Sequence, residues 1–272
     1  MIPTPILTVL STFRKNGVQT LLMGGQACVF YGAAQVSKDV DLALLAEPAN
    51  IQRLRGALRD LAAERIAVPP FDPALFDRGH AIHFRCRAPG VEGLRVDLMS
   101  KLRLLDRFET LWERRTTFVD EEGNDFNLLS VPDLVRSKKT ARNRDWPVIE
   151  LLVNIHVHEN LAAPRPDWIP FWLSECRTPV QLVALARRFT AECRALAPAR
   201  PLLEHALSGD EAALIPALDT EMRAEQAVDR AYWEPVRREL EAMRLDEARK
   251  HRSCKTTPGD NAAHLSGTDA LS

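Results

Sequence analysis

Thr20-Leu21-Leu22-Met23-Gly24-Gly25-Gln26-Ala27-Cys28-Val29-Phe30 is the stretch from which the rest of the chain can be read. A short apolar run stops at two glycines, and the residues after them read as the opening of a helix. A strand that breaks at Gly24-Gly25 and turns into a helix leaves backbone N–H groups free at the helix start. With the positive end of the helix dipole, those groups suit a phosphate. Glycine also lets the backbone approach a ligand with no Cβ in the way.

Working outward, Asp39-Val40-Asp41-Leu42-Ala43-Leu44 alternates cleanly. With a period of two, Val40, Leu42 and Leu44 share one face of a strand, and Asp39 and Asp41 share the other. Their Cα atoms then lie about 6.5–7 Å apart, within reach of two divalent cations roughly 3.5–4 Å from one another. Leu94-Arg95-Val96-Asp97-Leu98 repeats the pattern, with Asp97 opposite its apolar face. If the two strands are neighbours, three carboxylates converge beside a glycine-lined anion cradle.

Gly24-Gly25, Ser37-Lys38-Asp39-Val40-Asp41 and Asp97 together resemble the signature of the nucleotidyltransferase superfamily, the DNA polymerase β-like fold. The wording is most similar to bacterial nucleotidyltransferases of the abortive-infection toxin type, over roughly residues 15–150. The resemblance implies that Gly24, Gly25 and Ser37 hold the triphosphate of a nucleoside triphosphate. It implies that Asp39 and Asp41 bind two Mg²⁺, while Asp97 completes the metal site and helps activate an acceptor hydroxyl. The implied activity is transfer of a nucleoside monophosphate to an acceptor: a tRNA end, a protein or a small molecule. A toxin-type enzyme of this kind would be paired with an antitoxin. The alternative is a non-catalytic protein of the same fold that binds nucleotide or a partner protein.

Ser130-Val131-Pro132-Asp133 is a helix-start signal, with a capping serine, an early proline and an acid at the third helical position. A helix from Leu134 to Asp145 would carry Lys138, Arg142 and Asp145 on one face. Relatives often carry such a Lys…Arg…Asp face, so Lys138 and Arg142 are expected to bind nucleotide by neutralising phosphate charge. Two positions depart from the pattern: Gln35, where many relatives have arginine, and Val148, where a further acid is common.

The organisation expected is α/β (α+β). Residues 1–130 form a mixed-sheet catalytic domain, 131–250 a helical region and 251–272 a disordered tail. The first part alternates helix and strand patterns, with Thr116–Val119 and Phe126–Leu129 read as a hairpin. In the second, Val148–Val157, Pro179–Leu196, Glu211–Leu218 and Ala224–Glu247 are the main helix candidates. Trp168, Phe171, Trp172 and Trp233 read as core. The tail is rich in Ser, Thr, Gly, Asp and Asn.

At 272 residues, 46% of them hydrophobic, the chain can bury a sizeable core. The net charge of −1 supplies no global field toward nucleic acid or membrane, although Arg136, Lys138, Lys139, Arg142 and Arg144 form a local basic cluster. Met1-Ile2-Pro3-Thr4-Pro5 has no basic signal-peptide region, and no apolar stretch approaches a membrane span. Five scattered cysteines with no Cys-x-x-Cys argue for reduced thiols and against a zinc site. The expected location is cytoplasmic, with no membrane contact. His156 and His158 stand two apart and cannot chelate together, and of His80 and His83 only one can face the cleft.

Overall fold

The computed structural model describes residues 4–34, 37–66 and 68–255, excepting the side chains of 251–255. Its centre is a seven-stranded mixed sheet. In chain order the strands are β1 (Thr20–Met23), β2 (Asp39–Leu44), β3 (Glu64–Arg65), β4 (Ile82–Arg85), β5 (Arg95–Met99), β6 (Thr116–Val119) and β7 (Asp125–Leu128). Across the sheet they run β3-β4-β5-β2-β1-β7-β6. β2 pairs antiparallel with β1 and parallel with β5, which is the neighbour relation the acidic motifs require.

Alternation sorts the two faces of the sheet. Val40, Leu42 and Leu44 of β2 and Val96 and Leu98 of β5 are all at most 1% exposed. Helices α1 (Thr4–Lys15) and α3 (Pro48–Asp60) cover this side. Leu10 and Phe13 of α1 meet Leu22 and Leu42 around a small cavity, and Leu58 of α3 lies with Phe84 of β4. Asn50 is wholly buried at the start of α3. Its amide N–H groups donate to the Gln19 and Leu45 carbonyls at 3.0 and 2.8 Å, and its oxygen accepts from the Gln19 N–H at 2.8 Å. That set satisfies backbone groups the sheet leaves unpaired at the mouth of β1.

The opposite face carries α2 (Gly24–Phe30), which grows directly out of β1, and α6 (Val131–Lys138). The Tyr31 hydroxyl donates to the Leu129 carbonyl at 2.7 Å, holding the end of α2 beside β7. The start of α6 is built as its sequence implies, with Ser130 as cap and Pro132 in the first turn. The Ser130 hydroxyl donates to the Asp133 carboxylate at 2.7 Å. Asp133 is fully buried and takes two further bonds, both 2.7 Å, from the Nε and Nη2 of Arg114, just beyond the short helix α5 (Phe108–Glu113). α4 (Pro73–Asp77), α5 and the edge strand β3 were not foreseen from the sequence, each being too short for a periodic pattern to register.

Beyond α6 the chain is helical: α7 (Trp146–Asn160), α8 (Trp168–Glu175), α9 (Pro179–Arg188), α10 (Thr190–Leu196), α11 (Leu203–Ser208) and α12 (Glu211–Lys255). Three expectations change here. The segment 179–196 is two helices, broken where Phe189 leaves helical geometry at φ −121° and ψ 53°. Glu211–Leu218 and Ala224–Glu247 fuse into one 45-residue helix that runs through Pro216 and Pro235. That helix continues to Lys255, past the expected start of the tail, whose residues 256–272 lie outside the described ones. Trp172 is fully buried and, with Trp168 and Phe171, packs around His156, as a core role requires. Cys28, Cys86, Cys176 and Cys193 are buried free thiols. No helix among the described residues is long and apolar enough to cross a membrane.

Because Asp133 both holds the capping Ser130 hydroxyl and anchors Arg114, its loss should loosen the helix that carries Lys138. Asp133→Ala is expected to cost roughly 2–4 kcal/mol, from the loss of the Ser130 hydroxyl bond and of two charge-assisted hydrogen bonds from Arg114. Urea unfolding monitored by circular dichroism measures it, and a change below 1 kcal/mol would contradict the assignment.

Candidate active site

The floor of the site is set by strand register. Asp39 of β2 stands opposite Arg95 of β5, and Asp41 opposite Asp97. On the other side of β5, His83 of β4 stands opposite Asp97. With a period of two, Asp39, Asp41, Arg95, Asp97 and His83 therefore share one face. The three carboxylates foreseen as a unit lie on adjacent strands. Asp97 is not turned out to solvent, since its side chain keeps 14% exposure.

The glycines sit where the sheet meets α2. Gly24, the first residue of that helix, has φ +66°, a region costly to other residues, and a Cβ there would overlap the Asp41 carboxylate. A Cβ on Gly25 would come within 2.5 Å of the Ser37 hydroxyl oxygen. Both glycines are thus required for close approach. The Gly25 N–H, foreseen as facing a phosphate, lies beside the Asp41 carboxylate and favours its charged form. Ser37 donates from Oγ to the Asp39 carbonyl at 3.3 Å, while its own carbonyl accepts from Gln26 Nε2 at 2.8 Å. Gln26 is completely buried, and its Oε1 has no partner among the described residues. Gln35, one of the two departures, lies outside the described residues. Val148, the other, is half-buried on α7 against the core.

Charge within the site is unevenly balanced. Asp41 is pushed above the usual carboxylate range, first by burial and then by the charge of Asp97, with Asp39 adding to it; Lys138 and the Gly25 N–H pull the other way. Burial would also raise Asp97, but hydrogen bonds from His83 and Arg95 outweigh that and hold it below its ordinary value. Those partners are close: His83 Nδ1 lies 2.8 Å from Asp97 Oδ1, and Arg95 Nε donates to the same oxygen at 2.7 Å. The bond to Asp97 raises the Arg95 guanidinium in turn, with the charges of Asp39 and Asp41 contributing. Cys28 is raised by burial and donates to the Gly24 carbonyl at 3.1 Å, a packing role.

Lys138, Arg142 and Asp145 do come together, but on no continuous helix. α6 stops at Lys138, a turn follows, and Asn143–Asp145 form a single 3-10 turn before α7. Lys139 at ψ +71° breaks the run. Asp145 gathers the group, with Lys138 Nζ at 3.6 Å from Oδ1 and Arg142 Nε at 2.8 Å from Oδ2. Lys138 is buried and close enough to act on Asp41. Arg142 remains half exposed, and among the described residues it bonds to Thr140 and Asp145, not to the aspartates of the sheet. Trp146 is helical despite Pro147, because that proline occupies the first turn of α7, where no donor is needed.

The turn that presents Lys138 is fixed from a distance. Asp229 of α12 accepts the Ala141 N–H at 2.8 Å and Arg103 Nε at 2.9 Å, and Arg103 also donates to the Lys139 carbonyl. Gln226 adds a bond to Asn143 Oδ1 at 2.8 Å. None of these was singled out from sequence, and neither was Arg95. Arg95 was nevertheless legible, since it stands two residues before Asp97 on the same strand. His83 needed the β4–β5 register.

Among the described residues, no three His, Cys, Asp or Glu side chains stand grouped closely enough to hold a metal ion as they are. Compared with protein-family models and with curated proteins, the chain matches none.

Burial and repulsion at Asp41 give a stability test. A carboxyl raised in the folded state stabilises the fold below its unfolded value of about 3.9 and loses that contribution as pH climbs through the raised value. Asp41→Asn is therefore expected to have a higher Tm than the parent in EDTA at pH 7, by ~2–4 °C per kcal/mol relieved. The gain should shrink as pH falls toward about 4. A lower Tm at pH 7 would contradict the charge balance described.

Proposed function

We propose that this chain is a nucleotidyltransferase, moving a nucleoside monophosphate from a nucleoside triphosphate to an acceptor hydroxyl. What carries the reading is the in-register pairing of Asp41 with Asp97, beside a Gly24 that only a hydrogen atom fits. Burial first, and then the charge of Asp97 on the same face, push Asp41 up, so the ionised trio is held at a cost. Hard divalent cations relieve such a cost, so the donor chemistry of Asp39, Asp41 and Asp97 fits a pair of Mg²⁺. When bound, such ions neutralise charge on the transferring phosphate and acidify the attacking hydroxyl.

The chain's own groups divide the remaining work. Asp39 and Asp41 would hold the ions. Asp97, kept ionised by Arg95 and His83, is suited to remain a ligand, leaving the hydroxyl proton to solvent. Lys138 would offset charge on the departing pyrophosphate, and half-exposed Arg142 has the freedom to join it. Gly24, Gly25 and Ser37 would line the triphosphate, with the Gly25 N–H passing from Asp41 to an incoming oxygen.

The non-catalytic alternative draws on a specific observation as well: Asp97 already holds Arg95 and His83, and no ready-made metal cluster stands among the described residues. Transfer of label from each α-labelled triphosphate into cell extract separates the two. The expected outcome is Mg²⁺-dependent labelling of an acceptor with pyrophosphate release, reduced at least about a hundred-fold in the Asp39→Asn, Asp41→Asn double variant. No release and no magnesium-dependent thermal shift with any of the four triphosphates would favour the binding protein.

A further inference from the structure

Arg95 stands on the acidic face yet carries the opposite charge. Its Nε is bound to Asp97 Oδ1, and its Nη2 lies 3.0 Å from His83 Nδ1, which contacts the same oxygen. Asp39 and Asp41 act on its charge as well, so one guanidinium answers to all three carboxylates. Both side-chain hydrogen bonds to Asp97 land on Oδ1, the kind of atom a cation would take. The Arg95 side chain is 38% exposed, and nothing in its burial prevents it from rotating away.

We propose that Arg95 is the resident counter-ion of the acidic trio, and that a divalent cation reaches Asp97 only by displacing it. The proposal rests on the nucleotidyl-transfer reading for the identity of the trio. It accounts for two facts together: an arginine tethered to the third carboxylate, and an acidic face not gathered into a ready metal cluster. A guanidinium released from a carboxylate has its fork of donors free for another oxyanion, and phosphate matches that geometry. In the proposed reaction the oxyanion at hand is the triphosphate. Metal and nucleotide then load together, and the cation alone binds weakly.

Titration of the full chain with Mn²⁺ in the absence of nucleotide, read by the electron paramagnetic resonance of free ion, tests this. Arg95→Met is expected to bind Mn²⁺ about ten-fold or more tighter than the parent, the scale on which one close charge acts. Arg95→Lys, which keeps the charge, should stay near the parent. Circular dichroism checks that the variants fold. Should Arg95→Met fail to fold, Arg95→Gln, which removes the charge and keeps a polar side chain, is expected to tighten binding by a similar factor, and an unchanged affinity would overturn the proposal. Arg95→Met binding no tighter than the parent overturns it too, while Mn²⁺ uptake by the parent with a triphosphate would leave the transfer reading standing. No Mn²⁺ bound by any of the proteins, with or without triphosphate, overturns both.

Discussion

The parallel pairing of β2 with β5 is the constraint on which the other features rest. It aligns Val40 with Val96 and Leu42 with Leu98 on the buried face, and by the same register Asp39 with Arg95 and Asp41 with Asp97 on the other. A slip of one residue would turn Val40, Leu42 and Leu44 into the open face and bury the acids under α1 and α3. The apolar side therefore fixes the polar side. Burial of five aliphatic residues at 1% exposure or less stabilises the register, and the carboxylates accept the position it imposes.

That position is electrostatically costly, and the surrounding groups show how the cost is met without a metal. Arg95 and His83 satisfy Asp97, the Gly25 N–H and Lys138 attend to Asp41, and Asp145 holds Lys138 in turn. The support reaches α12, where Asp229 and Gln226 secure the turn after Lys138. The helical part of the chain thus contributes to the site by holding a loop in place.

What was legible in the sequence and what was not follows from the range of each interaction. Alternation in Asp39–Leu44 and Leu94–Leu98 is a two-residue signal, so strands, faces and the acidic residues could be read directly. Ser130 and Asp133 announced the start of α6 because capping is also local. Its end was misread: the basic residues after Lys138 keep helical spacing, while the bonds that stop the helix come from Arg103 and Asp229, tens of residues away. The fusion of two segments into α12 escaped notice because the mostly polar residues 219–223 between them carry no apolar stripe; Pro216 and Pro235 lie inside segments already read as helical. His83 was ambiguous until the register of β4 was known, and β3 is too short to carry any pattern.

The central claim is that Asp39, Asp41 and Asp97 act together on cations beside the Gly24-Gly25 turn. Crystals grown with Mn²⁺ and a non-hydrolysable triphosphate, examined by anomalous scattering, address it directly. The account predicts two manganese peaks bridged by Asp39 and Asp41, one also touching Asp97, with phosphate oxygens against the glycines. Manganese elsewhere, or none on the sheet while the triphosphate is bound, would contradict it.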